Sequence, residues 1–218
     1  MSHNLYYNTV TPLLLSVLKA LMVSKEFDGF RLVGGTALSL YKGHMESVDI
    51  DLFTDEDYGT VDINAIDTFL HNQYEYVSGN TYSVIGMGKS YYIGRNEKDC
   101  VKLDLFYTDK FKEDVQLIDG IRLANVEEII AMKMDVISRG GRKKDFWDLH
   151  DLMKDFSFEQ MLALHEKRYP CMHNEELMKN NFSEFTKADE DFDPICLRGK
   201  YWQIIKLDMI EFATGKKW

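Results

Sequence analysis

Proline is scarce in this sequence, with three in 218 residues, and no Pro/Gly/Ser-rich stretch marks a linker. No internal repeat or low-complexity segment occurs either. The length fits one large domain, or one domain with a modest second lobe, and is enough to bury a real core. Cysteine is equally sparse. Cys100, Cys171 and Cys196 are odd in number and scattered, with no CxxC or Cys/His cluster at zinc spacing. A disulfide framework is therefore not expected, and the thiols read as the reduced side chains of a cytoplasmic protein. Long apolar runs are missing too. The longest, Pro12–Val23, is interrupted by Ser16 and Lys19 and falls short of the roughly 20 residues a membrane span needs. The opening MSHNLYYNTV has no basic region and no small-residue cleavage site, so no secretory leader is expected.

Positive charge is in deficit: 26 Lys and Arg stand against 36 Asp and Glu, a formal net charge of −10. A protein that coats nucleic acid usually carries a basic surplus, because counterion release needs cations. A single RNA end held by a local basic patch stays open. What is plentiful is apolar and charged residues, at 45% and 28%, as in a folded globular chain.

Periodicity places the elements. Thr9–Ser24 reads as an amphipathic helix, with Leu13, Val17, Ala20, Leu21 and Ser24 at helical spacing. Phe30–Val33 reads as a short strand, ended by Gly34-Gly35, with Thr36 expected to cap a helix through Tyr41. Val48–Phe53 alternates, with Val48, Ile50 and Leu52 on one face and Asp49 and Asp51 on the other. A helix is expected over Asp62–Tyr76, then strands at Tyr82–Met87, Tyr91–Arg95 and Val101–Tyr107. Gly88-Lys89 and Asn96–Asp99 are the expected hairpin connections, and Val115–Leu123 one further edge strand. Beyond that the pattern is helical. Asn125 with Glu128 suggests a capping box opening a helix to Ser138, Lys143–Lys154 a second, and Ser157 with Gln160 a third to Arg168. From Asn174 to Lys217 helix is expected in parts, around an irregular acidic stretch Asp189–Asp193. The expectation is an α+β fold, with a mixed sheet and flanking helices over residues 1–124 and a helical C-terminal lobe over 125–218.

The chemistry centres on carboxylates. Asp49 and Asp51, at i and i+2 of one strand, emerge on one face with roots about 7 Å apart. They repel unless a cation lies between them, and hard divalent cations with oxygen ligands meet that need. In Val101–Phe106, Lys102, Asp104 and Phe106 share a face. If the two strands are neighbours, Asp104 is a third carboxylate, and three can hold two Mg²⁺ ions (or Mn²⁺) roughly 4 Å apart for in-line phosphoryl displacement. A DxD on an amphipathic strand is also compatible with a plain solvated face. The double glycine Gly34-Gly35, at a strand end before a helix, argues for phosphate, because backbone amides there can approach phosphate oxygens closely.

The segment GGTALSLYKGHMESVDIDLF, Gly34 to Phe53, resembles the signature of nucleotidyltransferases of the polymerase-β superfamily, and more narrowly the AbiEii/AbiGii toxin family of type IV toxin–antitoxin systems. Asp104 in VKLDLF stands where that family has its third metal-binding carboxylate. AMKMDVISRGGRKKDFWDLHDL, Ala131–Leu152, resembles the family's helical motif and places Lys133, Arg139, Lys144, Asp145 and Asp148 on motif positions. The resemblance covers Gly34 to Leu152. It implies a polymerase-β-like fold and transfer of a nucleoside monophosphate from an NTP to an acceptor hydroxyl. In this reading one metal ion, on Asp49, Asp51 and Asp104, activates that hydroxyl; the other, on Asp49 and Asp51, holds the triphosphate. Gly34, Gly35 and Thr36 would cradle phosphate, with Ser47, Lys133 and Arg139 also in the nucleotide site. Asp145 would be a partner of Lys133 or a base for the acceptor. The implied acceptor is the 3′ end of tRNA, the implied role a toxin, and the implied partner a separately encoded antitoxin, with no membrane involved. One departure stands out: many members have Arg where this chain has Met45, within Gly43-His44-Met45-Glu46-Ser47.

Each residue has a plainer reading. Lys133 lies within the apolar stripe of Val126, Ile129, Ile130, Met134 and Ile137, where a lysine can simply snorkel. The run Arg139, Arg142, Lys143, Lys144 can be a solvated face paired with Asp145, Asp148 and Asp151. His44 reads as incidental, and Phe146, Trp147 and Leu149 as packing. Two rival functions remain. One is nucleotidylation of a small molecule or protein, which the acidic charge suits. The other is nucleotide binding without turnover, which Met45 keeps open.

Overall fold

The computed structural model describes residues 4–79 and 87–215. The first helix, α1 (Pro12–Met22), lies inside the expected Thr9–Ser24 span and starts three residues later than expected, because Thr9 closes a separate 3-10 turn and Thr11 is the cap. The Thr11 side chain accepts the Leu14 amide at 3.1 Å, and Pro12 fills the first helical position, where no amide bond is lost. Its apolar stripe, Leu14, Val17, Leu18 and Leu21, is fully buried.

Seven strands among the described residues form one mixed sheet. They are β1 (Arg31–Leu32), β2 (Asp49–Thr54), β3 (Tyr76–Gly79), β4 (Gly88–Asn96), β5 (Asp99–Tyr107), β6 (Gln116–Ile118) and β7 (Ile121–Leu123), in the order β3-β4-β5-β2-β1-β7-β6. At the centre β2 runs parallel to β5 and antiparallel to β1. Burial in β2 alternates strictly: Ile50 and Leu52 enter the core while Asp49, Asp51 and Phe53 stay half-buried on the other face. Leu103 and Leu105 of β5 do the same.

Several boundaries differ from those the sequence suggests. Helix α3 (Ile63–Gln73) starts on the Asp62 cap but stops three residues early, because Tyr76 is already in β3. The strand expected at Tyr82–Met87 lies, but for Met87, outside the described residues. Gly88-Lys89 is no turn. Gly88 lies inside β4 opposite Phe106, so close to the Leu105 carbonyl that any Cβ would collide with it. The glycine permits a close strand approach. Val115–Leu123 is a hairpin, not one strand. Asp119 and Gly120 both have positive φ, as the tight primed turn between β6 and β7 requires. β6 is the edge, and β7 is paired on both sides.

The remaining helices are α2 (Gly34–Lys42), α4 (Val126–Ser138), α5 (Lys143–Leu152), α6 (Phe158–Arg168), α7 (Glu175–Asn181), α8 (Thr186–Asp189) and α9 (Trp202–Thr214). The Ser157/Gln160 capping box forms as expected. At α4 only half of the expected box exists. Asn125 caps the Glu127 amide, but Glu128 turns inward to accept the Lys112 and Glu113 amides and pair with buried Arg168. α5 packs on α9, with Trp147 stacked on Trp202 at 6.0 Å between ring centroids. α2 contacts both α4 and α5. The chain before α9 returns to the start of β2: Glu46 donates its amide to the Ile195 carbonyl, and Leu197 donates to that of His44, both at 2.9 Å.

Candidate active site

In the β2–β5 ladder Asp51 is the register partner of Asp104, and Asp49 that of Lys102. Register partners on neighbouring strands share a face at about 4.8 Å strand spacing. Asp49, Asp51 and Asp104 therefore stand on one face of the sheet, as the alternation required. Burial, reinforced by the charges of Asp104 and Asp49, pushes the Asp51 carboxyl above the usual carboxylate range, against the opposing pull of Lys144 and Lys133. Asp104 Oδ2 accepts the Lys102 ammonium at 2.5 Å, while its Oδ1 is buried with no hydrogen-bond partner. The bond to Asp104 in turn raises the Lys102 pKa. Asp49 lies 4.0 Å from the Lys144 ammonium. Two lysines thus screen the acids at either side. Among the described residues no three acid, His or Cys side chains are gathered as a formed cation cage, since Asp104 is turned to Lys102 and Asp49 to Lys144.

Helix α2 begins directly beside the acids. Its N-cap is Val33, which has no side chain able to bond the first-turn amides. Gly34 has φ +68, and a Cβ there would sit 2.9 Å from Asp51 Oδ2. The positive end of the helix dipole is left open next to the carboxylate face. The expectation that Thr36 caps this helix is corrected. Thr36 is buried inside the first turn, donates its hydroxyl to the Asp49 carbonyl at 2.5 Å, and receives the Ser47 hydroxyl at 2.6 Å. These two hydroxyls tie α2 to the entry of β2 and so fix Asp49 against the helix start.

Behind the helix lies a buried charge cluster. The Lys133 ammonium sits 2.6 Å from both Asp145 Oδ1 and Asp148 Oδ2, and Asp148 Oδ1 is 2.7 Å from His44 Nε2. Burial opposes the Lys133 charge, but Asp148 and Asp145 outweigh it and raise the pKa. The Asp145 carboxyl is lowered: burial works against the charge, and Lys133 with Arg142 more than reverses it. Lys133 therefore faces two carboxylates of α5 and not open space. Asp145 also accepts the Arg142 amide at 3.1 Å as part of the α5 capping box. That geometry makes it a partner of Lys133; a base for an acceptor would need an exposure that Asp145 lacks. Arg139 pairs with Asp135 one turn back on its own helix. The cations beside the acids, Lys102 and Lys144, are both half-buried, with 34% and 40% of the side chain exposed.

Comparison with known families matches residues 16–215 to "Nucleotidyl transferase AbiEii toxin, Type IV TA system". The chain belongs to this family. A relative in Aquifex aeolicus, the uncharacterized protein aq_aa25, is 30% identical over 150 residues, covering 65% of this chain and 67% of that one. Among solved structures, JHP933 from Helicobacter pylori superposes with a TM-score of 0.60 at 20% identity, over 92% of this chain and 87% of that one. MenT4, a nucleotidyltransferase toxin from Mycobacterium tuberculosis, superposes at 0.59 with 13% identity, over 92% and 80%. At these identities the superpositions speak for the fold, a nucleotidyltransferase fold with its mixed sheet and flanking helices. Among the described residues no helix is long and apolar enough to cross a membrane.

Against this family background, Met45 and His44 take on defined places. The Met45 side chain is 3% exposed, in the core, and its backbone bridges Cys196. His44 is buried and bonded to Asp148, so it is no incidental loop residue. Lys102 and Lys144 are the cations that stand beside Asp104 and Asp49. Lys102 was legible as sharing the face of Asp104, and Lys144 through its place on the helical motif.

Proposed function

We propose that this protein is a metal-dependent nucleotidyltransferase that moves a nucleoside monophosphate from an NTP to the 3′ hydroxyl of an RNA, with tRNA as the acceptor. The observation that carries this reading is the pairing of Asp51 with Asp104, Asp49 alongside, at the open N-terminus of α2. The donor set fits Mg²⁺ or Mn²⁺: three hard oxygen ligands, one pushed up by burial and by its acidic neighbours and one with an orphaned Oδ1. Asp49, Asp51 and Asp104 would hold the ions, with Asp104 giving up Lys102. Bound metal would supply a more acidic acceptor hydroxyl and neutralise the charge on the leaving pyrophosphate.

In this reading the chain's own groups do the rest. The first-turn amides of α2, at Gly34, Gly35 and Thr36, hold the triphosphate through the helix dipole. Lys144, and Lys102 once released, offset phosphate charge near Asp49 and Asp104. Thr36, Ser47, Lys133, Asp145, Asp148 and His44 keep α2 and α5 fixed against the strand. The acceptor hydroxyl gives up its proton to solvent as its oxygen bonds the α-phosphorus, the bond from the α-phosphorus to the α–β bridging oxygen breaks, and pyrophosphate leaves. Its role would be a growth-inhibiting toxin held in check by a separately encoded antitoxin.

The test is incubation with labelled NTPs, Mg²⁺ and purified tRNA. Label on the tRNA 3′ end, lost in the Asp49→Ala/Asp51→Ala double variant while its circular dichroism stays native, supports the proposal. Label only on small acceptors or protein would move the reading to those substrates. Bound NTP with no pyrophosphate released under any acceptor would mean binding without turnover.

A further inference from the structure

The α4–α5 turn and the α7–α8 segment enclose an open cavity of about 500 Å³ whose walls include Arg139, Gly140, Gly141, Glu184, Thr186 and Lys187. It lies apart from the carboxylates, and its chemistry suits an anion. Lys187 is exposed, and among the described residues no carboxylate lies within ion-pairing distance of its ammonium. Arg139 is 62% exposed and binds Asp135 through Nε and Nη2 only, so Nη1 has no partner among the described residues. Gly140 has φ +83, and a Cβ there would lie 3.2 Å from Lys187 Nζ. Glycine thus keeps the ammonium and the adjoining peptide face open. The one acid in the wall, Glu184, accepts the Thr186 amide at 2.8 Å and keeps its single negative charge against the two cations Arg139 and Lys187.

From this cavity the turn runs on through exposed Arg142 to Lys144, 4.0 Å from Asp49. Lys187 and Arg139 line the cavity, and Arg142 and Lys144 follow Arg139 in sequence toward Asp49; Arg142 leans on Asp145, and Lys143 between them takes up Asp191 and Asp193. A small acceptor sitting at Asp104 would have no use for the cations of the cavity. A strand whose 3′ end lies at the carboxylates has upstream phosphates that would.

We propose that this cavity is a phosphate site for the acceptor strand, in which Lys187 and Arg139 hold a backbone phosphodiester upstream of the reacting 3′ end. The proposal rests on the nucleotidyl-transfer reading and deepens it, because it gives the acceptor strand a holding site of its own, apart from the residues that would bind the NTP. Arg139 thereby serves the acceptor and not the NTP.

The experiment is RNA binding without NTP or metal, followed by steady-state transfer. Fluorescence anisotropy with a short single-stranded RNA and with tRNA is recorded against salt for the wild-type protein, Lys187→Glu and Lys187→Arg. Lys187 is exposed, so neither change threatens folding. Lys187→Glu is expected to weaken binding about tenfold and to lower the slope of log K against log salt by about 0.7, the loss of one single-strand phosphate contact. Lys187→Arg is expected to bind as wild type. In transfer assays the KM for RNA should rise in Lys187→Glu while the KM for NTP stays put. Wild-type affinity and slope in Lys187→Glu, or no RNA binding by the wild-type protein at low salt, would overturn the proposal. Lys187-dependent RNA binding with no transfer would sink the transferase reading alone. Transfer to RNA indifferent to Lys187 would sink the cavity alone.

Discussion

The Lys133 ammonium is shared between Asp145 and Asp148, 2.6 Å from each, in a site where all three side chains are buried. One lysine on α4 thus fastens the first two turns of α5, and Asp148 passes the contact on to His44 beside α2. Removing the lysine leaves two acids buried without their counter-charge. Lys133→Met is expected to cost about 3–5 kcal/mol, read as a lower midpoint in urea unfolding. The pH dependence follows from Asp145, whose pKa lies below the ordinary value of 3.8. Its contribution to stability is complete above that value and is lost as pH falls through the lowered folded pKa. Asp145→Asn should be less stable at neutral pH and show a flatter acid limb in its Tm-against-pH curve. An unchanged limb would mean that Asp145 carries no linked stability.

Gly34 sits at φ +68 with Asp51 Oδ2 in the space a Cβ would take. Gly34→Ala should destabilise by about 1–2 kcal/mol from the left-handed conformation alone. The added methyl also pushes Asp51 off the helix start, so transfer activity should fall further than the loss of folded protein explains. Comparing thermal unfolding with activity per folded molecule separates the two effects.

Lys144 is the half-buried cation at Asp49, and among the described residues its ammonium pairs with no core residue. Lys144→Ala should leave stability within about 0.5 kcal/mol and lower kcat/KM by about tenfold, the loss of one charge-assisted contact to phosphate. Equal kcat/KM in the variant would remove Lys144 from the site.

Met45 occupies the position where the sequence resemblance leads one to expect arginine, and its side chain is in the core. Met45→Arg would bury a guanidinium where the Met45–Cys196 bridge closes the chain. It should lose roughly 3 kcal/mol or more of stability, with no gain in transfer. A stable, more active variant would show that the segment at 195–197 yields easily.

The strands carrying the acids were legible because alternation leaves no freedom. With Ile50, Leu52, Leu103 and Leu105 buried, Asp49, Asp51 and Asp104 must share the other face. What could not be read locally is set by contacts between distant segments. Lys133 shows a stripe position but not which way its ammonium turns, since that depends on α5 packing against α4. His44 gains its place from Asp148, 104 residues away. Thr36 looked like a cap by its chemistry, yet Val33 takes that position and the threonine hydroxyl answers the Asp49 carbonyl instead. Gly88 looked like a turn because a glycine in a strand gives the same local signal as one at a bend.

Mn²⁺ titration followed by electron paramagnetic resonance, with a non-hydrolysable NTP present, reads the three-acid site itself. The wild-type protein should bind the ion, and Asp51→Asn and Asp104→Asn should each lose it while remaining folded. Unaltered Mn²⁺ binding in both variants would show that these side chains hold no metal.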